Sequence, residues 1–252
     1  MLSSFAQLDR VLRGEVTRTE ALRDGSIGVA FGGMVPVLTL LGMVNGACIG
    51  AYALANRESE SWMHVISAMV KVPALFLLTL LVTFPSLYVF NAIVGCGLRA
   101  LPMLRLIVAA LAVTMALLAS FGPIVAFFSF STGSYSFMVL INVVTYGVAG
   151  SLGLLFLLRT LQRLAAISVP DLGLDEAEDE IVSPMEPVDA GPLGAPARIV
   201  FRIWVVVFGL VGAQMAWVLR PFIGDPGAEF SWFRPRQSSF FESVWTHVTH
   251  LF

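Results

Sequence analysis

The sequence predicts an all-α, polytopic membrane helix bundle with five transmembrane helices, N-in/C-out, and an amphipathic helix near each terminus. Three observations predict it. Five apolar stretches, at about 27–55, 66–95, 104–129, 135–158 and 199–220, each reach the roughly 20 residues that a hydrocarbon core requires. Charged residues make up only 13% of the chain and hydrophobic residues 57%, with a mean hydropathy of +0.84, which excludes a soluble globular domain. Basic residues are also unevenly placed. Arg10, Arg13, Arg18, Arg23, Arg99, Arg105, Arg159, Arg163, Arg198 and Arg202 fall on one side of the stretches, against Arg57, Lys71, Arg220, Arg234 and Arg236 on the other. Ten against five follows the positive-inside bias and sets the orientation. Arg outnumbers Lys fourteen to one, a balance that suits GC-rich bacterial coding, so the expected location is a bacterial cytoplasmic (inner) membrane.

Residues 1–24 form a cytoplasmic segment. Leu2, Phe5, Leu8, Val11 and Leu12 recur at near-helical spacing against Asp9, Arg10 and Arg13, the pattern of a short amphipathic helix that lies on the membrane surface or packs on the bundle. Residues 25–168 hold spans one to four. The first is too long for a signal-peptide core and is expected to stay in the mature chain. It carries Gly42, Gly46 and Gly50 at four-residue intervals, a helix-packing stripe that lets a second backbone approach, either another span or a second copy of the chain. The second span contains Pro73 and Pro85 and is too long for one straight crossing. Its first turns, with Trp62, His64 and Lys71, are expected to lie along the interface, with Lys71 snorkelling to the headgroups.

Residues 169–197 are a cytoplasmic linker rich in Asp, Glu and Pro, the composition of a solvated, flexible segment or of a strip for a basic partner. Span five occupies 198–224. The external tail, 225–252, places Trp232, Phe233, Arg234 and Arg236 together, aromatic rings and guanidinium groups suited to headgroup level. Ser239 and Glu242 then form a capping box ahead of Phe240, Phe241, Val244, Trp245 and Val248, one apolar face of a terminal helix. His247 and His250 are three apart on its other face, too few ligands for a metal site. Cys48 and Cys96 lie in apolar surroundings and act as small hydrophobes.

The chemistry available is narrow. No Asp or Glu falls within a span, the three histidines lie at span edges, and no Walker-type phosphate loop is present. Proton coupling and intramembrane proteolysis are therefore disfavoured, and no catalytic residue, metal or cofactor is predicted. Among the polar side chains within the spans, Asn91, Asn142 and Gln214 are singled out as amides that either bond between helices or line a path. Arg220, Arg234, Arg236 and Trp245 are the candidates for contact with lipid or a partner at the outer interface.

Several segments together, Lys71-Val72-Pro73, the run from Thr83 to Asn91, Ile141-Asn142-Val143, the run Gln214 to Gly224 and Phe233-Arg234-Pro235-Arg236, resemble an uncharacterised group of multi-pass bacterial membrane proteins. The resemblance covers most of the chain from about residue 65 and implies no assigned reaction. The five-span plan is also similar to that of the Yip-type membrane-trafficking proteins, at the level of architecture alone. The expected function is a non-catalytic subunit, scaffold or accessory protein of a larger membrane complex, whose partners are the bilayer and other membrane proteins or further copies of itself, with no nucleic acid. The alternative is a channel or carrier for a small uncharged or weakly ionic solute that uses Asn91, Asn142 and Gln214. An enzyme acting on lipid stands third and requires a groove converging on Arg220.

Overall fold

The computed structural model describes residues 2–15, 31–56, 61–94, 100–167, 195–220, 222–224, 229–233 and 240–249. Among them are seven helices and no strand: α1 (Leu2–Leu12), α2 (Phe31–Asn56), α3 (Ser61–Val94), α4 (Ala100–Ser131), α5 (Tyr135–Ile167), α6 (Ala195–Leu219) and α7 (Phe240–Thr249). Five of them, α2 to α6, are long and apolar enough to cross a membrane. Helices bond their own backbone polar groups, which is why a chain this apolar takes that form. The acidic linker as far as residue 194, the Ser239 cap, Cys96, His250, Arg234 and Arg236 lie outside the described residues.

Helix α2 is the centre of the bundle, packed on α3 along one face and on α4 along another. The contact with α3 is a backbone contact. A Cβ placed on Gly46 would sit 2.5 Å from the carbonyl oxygen of Ala68, and one on Gly50 would sit 2.7 Å from Val65 Cα. Gly42 faces Pro73, whose ring occupies the notch that the missing side chain leaves. This accommodation accompanies a departure from expectation: α3 does not break after an interfacial turn but runs unbroken through Pro73 and Pro85. Its 34 residues extend about 51 Å at the α-helical rise, well beyond the roughly 30 Å of a hydrocarbon core.

The remaining helices hang from this core. α1 packs on α2 and α4 with Leu8 and Val11 buried, so its apolar face meets the bundle. α5 packs on α4, and α6 on α3. α6 is anchored near its start by Trp204, fully buried, whose indole Nε1 donates to Ser86 Oγ at 3.2 Å and whose ring lies 5.3 Å from Phe208. α5 and α6 scarcely touch one another. Near the short turn between α4 and α5, the Tyr52 hydroxyl donates to the Gly133 carbonyl at 2.9 Å and Asn56 Nδ2 donates to the Ser129 carbonyl at 3.4 Å, which ties α2 to that end of the bundle.

Lys71 and His64 are the main corrections to the sequence reading. Lys71 does not snorkel: it is 3% exposed, its ammonium donates to the carbonyl oxygen of Trp232, and it lies 5.2 Å from the Phe233 ring centroid. His64 is buried under the tail, its ring edge-on to Phe230 at 4.9 Å. The reason is that the tail folds back over α3. Residues 229–233 supply a carbonyl acceptor and aromatic faces to a cation that the apolar bundle otherwise leaves poorly solvated.

Two outcomes follow from these contacts. Gly46→Leu forces α2 away from the Ala68 backbone and lowers the thermal midpoint in detergent by about 5 °C or more. Gly32→Leu, where nothing lies within 4 Å of the added Cβ, leaves the midpoint within about 1 °C, and equal shifts in the two variants refute the close-packing account. Lys71→Met removes a charge-assisted hydrogen bond worth about 1.5–3 kcal/mol, so hydrogen exchange across 229–233 and α7 accelerates about tenfold while exchange in α2 is unchanged.

Candidate functional site

Because α5 and α6 stand apart, a half-open groove of about 650 Å³ lies between them. Its back wall is α3 and α4, with Leu75, Thr79, Ile107, Ala110, Leu111 and Thr114, and α7 lies at one end. Small residues create the space. A Cβ on Gly147 or Gly150 of α5 would meet nothing within 4 Å, and across the gap α6 presents Gly209, Gly212, Ala213 and Ala216. Gly153 has the opposite role, since a Cβ there would meet Thr114 Oγ1 at 1.9 Å, and it marks where α5 crosses α4. Along α5 the lining extends from Tyr135 to Leu157, about 33 Å at the helical rise.

The walls are apolar in effect as well as in composition. The hydroxyls of Thr79 and Thr114 donate to their own helix, to the carbonyls of Leu75 at 2.7 Å and Ala110 at 3.0 Å, the usual way a membrane helix satisfies threonine. The Tyr146 hydroxyl accepts from Asn45 Nδ2 at 2.9 Å, and its ring stacks on Phe76 at 6.1 Å. Asn142 is 8% exposed and its Nδ2 donates to the Met138 carbonyl at 2.7 Å, whereas its Oδ1 has no hydrogen-bond partner among the described residues. That oxygen is an acceptor in an apolar wall.

Charge is confined to one end. Arg220 lines the groove just past the last turn of α6, with its guanidinium carbon 3.6 Å from the ring centroid of Trp217, three residues earlier on the same wall. Opposite stand Ser243 and His247 of α7. His247 Nδ1 is 3.1 Å from Ser136 Oγ, and its ring lies edge-on to Tyr135 at 5.6 Å, so α7 is docked on the first turn of α5. Among the described lining residues, Arg220 is the one formal charge and no Asp or Glu is present. No group of three or more His, Cys, Asp or Glu that could hold a metal occurs among the described residues.

The residues singled out in the sequence are therefore dispersed. Gly42, Gly46 and Gly50 lie in the α2–α3 contact. Asn142 and Arg220 share the groove. Gln214 is exposed on α6 and is not a lining residue, and Asn91 falls in the last turns of α3 with its side chain outside the described residues. Trp245 is 70% exposed on α7. Sequence reasoning missed the groove itself, His247 as part of its wall, and Trp217 as the platform for Arg220. The three-residue interval between Trp217 and Arg220 was a readable sign, since residues so spaced share a helix face. No protein-family model, curated protein or solved structure matches this chain.

Proposed function

We propose that this chain is a multi-pass protein of a bacterial cytoplasmic membrane, amino terminus inside and carboxyl terminus outside, that works as a non-catalytic, lipid-binding subunit or accessory protein. The observation that carries the reading is the groove between α5 and α6, long, apolar-walled and open along one side. Its 650 Å³ falls within the range of sites that hold small organic ligands. Its length along α5 is about that of a hydrocarbon core, and a gap between two membrane-crossing helices opens towards lipid tails. A lipid-like molecule is the occupant that suits these walls, because the threonine hydroxyls are spent on their own helices and Gln214 is exposed away from the cavity.

The solute-carrier alternative draws less support. It needs the amides on one path, and of the three only Asn142 lines the groove by its side chain among the described residues. A lipid-modifying enzyme has its groove near Arg220, yet among the described lining residues the groups able to exchange a proton are His247 and the tyrosines Tyr135 and Tyr146, with no carboxylate or cysteine beside them.

Two measurements test the proposal. In a chain with Cys48 and Cys96 replaced by Ala, Gly133→Cys keeps the backbone carbonyl that binds Tyr52, and its Cβ makes only an ordinary contact of 3.8 Å. A membrane-impermeant maleimide applied to intact cells labels that cysteine and not one at Ser183 in the acidic linker; the reverse pattern overturns the orientation. For the groove, protein extracted in mild detergent carries about one lipid per chain, and Gly150→Trp, which fills open space, loses most of it with little change in thermal midpoint. Unchanged lipid content in that variant, or cross-links from a cysteine at Ser151 to a second copy seated in the groove, sinks the lipid reading.

A further inference from the structure

We propose that the occupant of the groove is a single long hydrocarbon chain of the polyprenyl class, selected along its body and not by its headgroup. The inference rests on the reading of the groove as a lipid site and names the kind of lipid. Its first support is the shape of the cavity. Spread over the roughly 33 Å that the lining follows along α5, 650 Å³ corresponds to a mean section of about 20 Å², one extended chain wide. At Gly209 the walls close in, since an added Cβ would lie 4.0 Å from Leu154 Cδ1 of α5. A fused-ring lipid, or two chains side by side, needs a wider slot. Length is the second support. The lining runs from Tyr135 and Phe240 at the α7 end to Leu157 and Ile107 at the other, whereas one leaflet supplies only about half of a roughly 30 Å hydrocarbon core. An ordinary acyl chain anchored in one leaflet therefore fills part of the groove, and a polyprenyl chain can follow all of it.

The third support is the relief of one wall. Gly147 and Gly150 leave two open notches, with nothing within 4 Å of an added Cβ, about 4.5 Å apart along the helix axis. That interval is close to the spacing of methyl branches on an extended polyprenyl chain, and a straight chain leaves both notches empty. Such fit decides the matter in lipid, because a tail that enters the groove exchanges one apolar environment for another and gains only by closer contact. The headgroup has little to meet. Arg220 is engaged within the chain, stacked on Trp217, the Tyr146 hydroxyl is bonded to Asn45, and His247 Nδ1 meets Ser136 Oγ. The Asn142 Oδ1 is closed off from any ligand, and Ser151 and Ser243 add only uncharged hydroxyls to the lining.

The test uses the full-length protein in a neutral detergent and native mass spectrometry with solanesol, solanesyl phosphate, farnesol, triacontanol and cholesterol as probes. Solanesol is expected to bind about tenfold or more tightly than farnesol, which is too short to follow the groove, and than triacontanol, which is long but unbranched. Solanesyl phosphate binds within about threefold of solanesol, and cholesterol displaces neither. Gly147→Leu, which fills one notch, removes the preference for solanesol over triacontanol and leaves the ligand-free thermal midpoint within about 1 °C of the parent. Gly32→Leu, away from the groove, preserves the preference. Equal binding of solanesol with farnesol or triacontanol, a tenfold preference for the phosphate, or displacement by cholesterol each overturns the inference and leaves the lipid groove standing. If no probe binds, the inference falls as well, and the groove reading falls with it only where Gly150→Trp keeps the lipid that the parent carries.

Discussion

The close approach of α2 to α3 is the constraint on which the rest of the bundle depends. In lipid, apolar side chains gain little by leaving the tails for one another, so helices associate where their surfaces fit closely and backbones can meet. Gly46 and Gly50 bring α3 so near that an added methyl would overlap the Ala68 carbonyl or the Val65 Cα. With α2 held between α3 and α4, the outer helices α6 and α5 each attach chiefly to a different inner helix, α6 to α3 and α5 to α4. Their separation follows from that attachment, and the groove between them is the space left over.

Small residues serve two opposite purposes in this architecture. On α2 they admit a neighbouring backbone, and on α5 and α6 they keep side chains out of a cavity, since Gly147 and Gly150 face open space. The hydroxyl-bearing residues show a similar economy. Thr79, Thr83, Thr114 and Ser129 all bond to carbonyls four residues back on their own helices, so their polarity does not reach the groove. Polar chemistry along the groove is thereby concentrated at the end that Arg220, Ser243 and His247 line.

Much of this was legible in the sequence, and the rest was hidden for definite reasons. The number of long helices and most of their limits follow from the length of the apolar runs, because hydropathy reads as depth. Direction is harder. A helix apolar on every side gives no periodicity to say which face meets protein, so Gln214 and Asn142 read alike although one is exposed and the other buried. The same ambiguity covers the glycines: Gly50 and Gly150 are equivalent letters, yet one touches a backbone and the other a void. Lys71 was misread because its acceptor, the Trp232 carbonyl, lies 161 residues further along the chain, and backbone acceptors leave no mark in sequence.

The contact between Lys71 and the tail also explains why the groove has an end wall. After Arg220 leaves α6, the chain passes through residues 229–233, which are fastened to α3 by the Lys71 ammonium and by the His64–Phe230 ring contact. From there it returns as α7, whose His247 rests on Tyr135 and Ser136 at the start of α5. The tail therefore touches α6, α3 and α5 in succession, so the two helices that scarcely meet directly are joined across one end by a short helix. A ten-residue amphipathic helix with no buried residue has little stability of its own, and its position is set by these anchors. The polar end of the groove is consequently assembled from two pieces of chain, the Trp217–Arg220 pair on a helix fixed by Trp204 and the Ser243–His247 pair on a helix fixed through Lys71. A charge buried beside the bundle thus has a use that its own surroundings do not reveal: it holds one half of that end wall against the other.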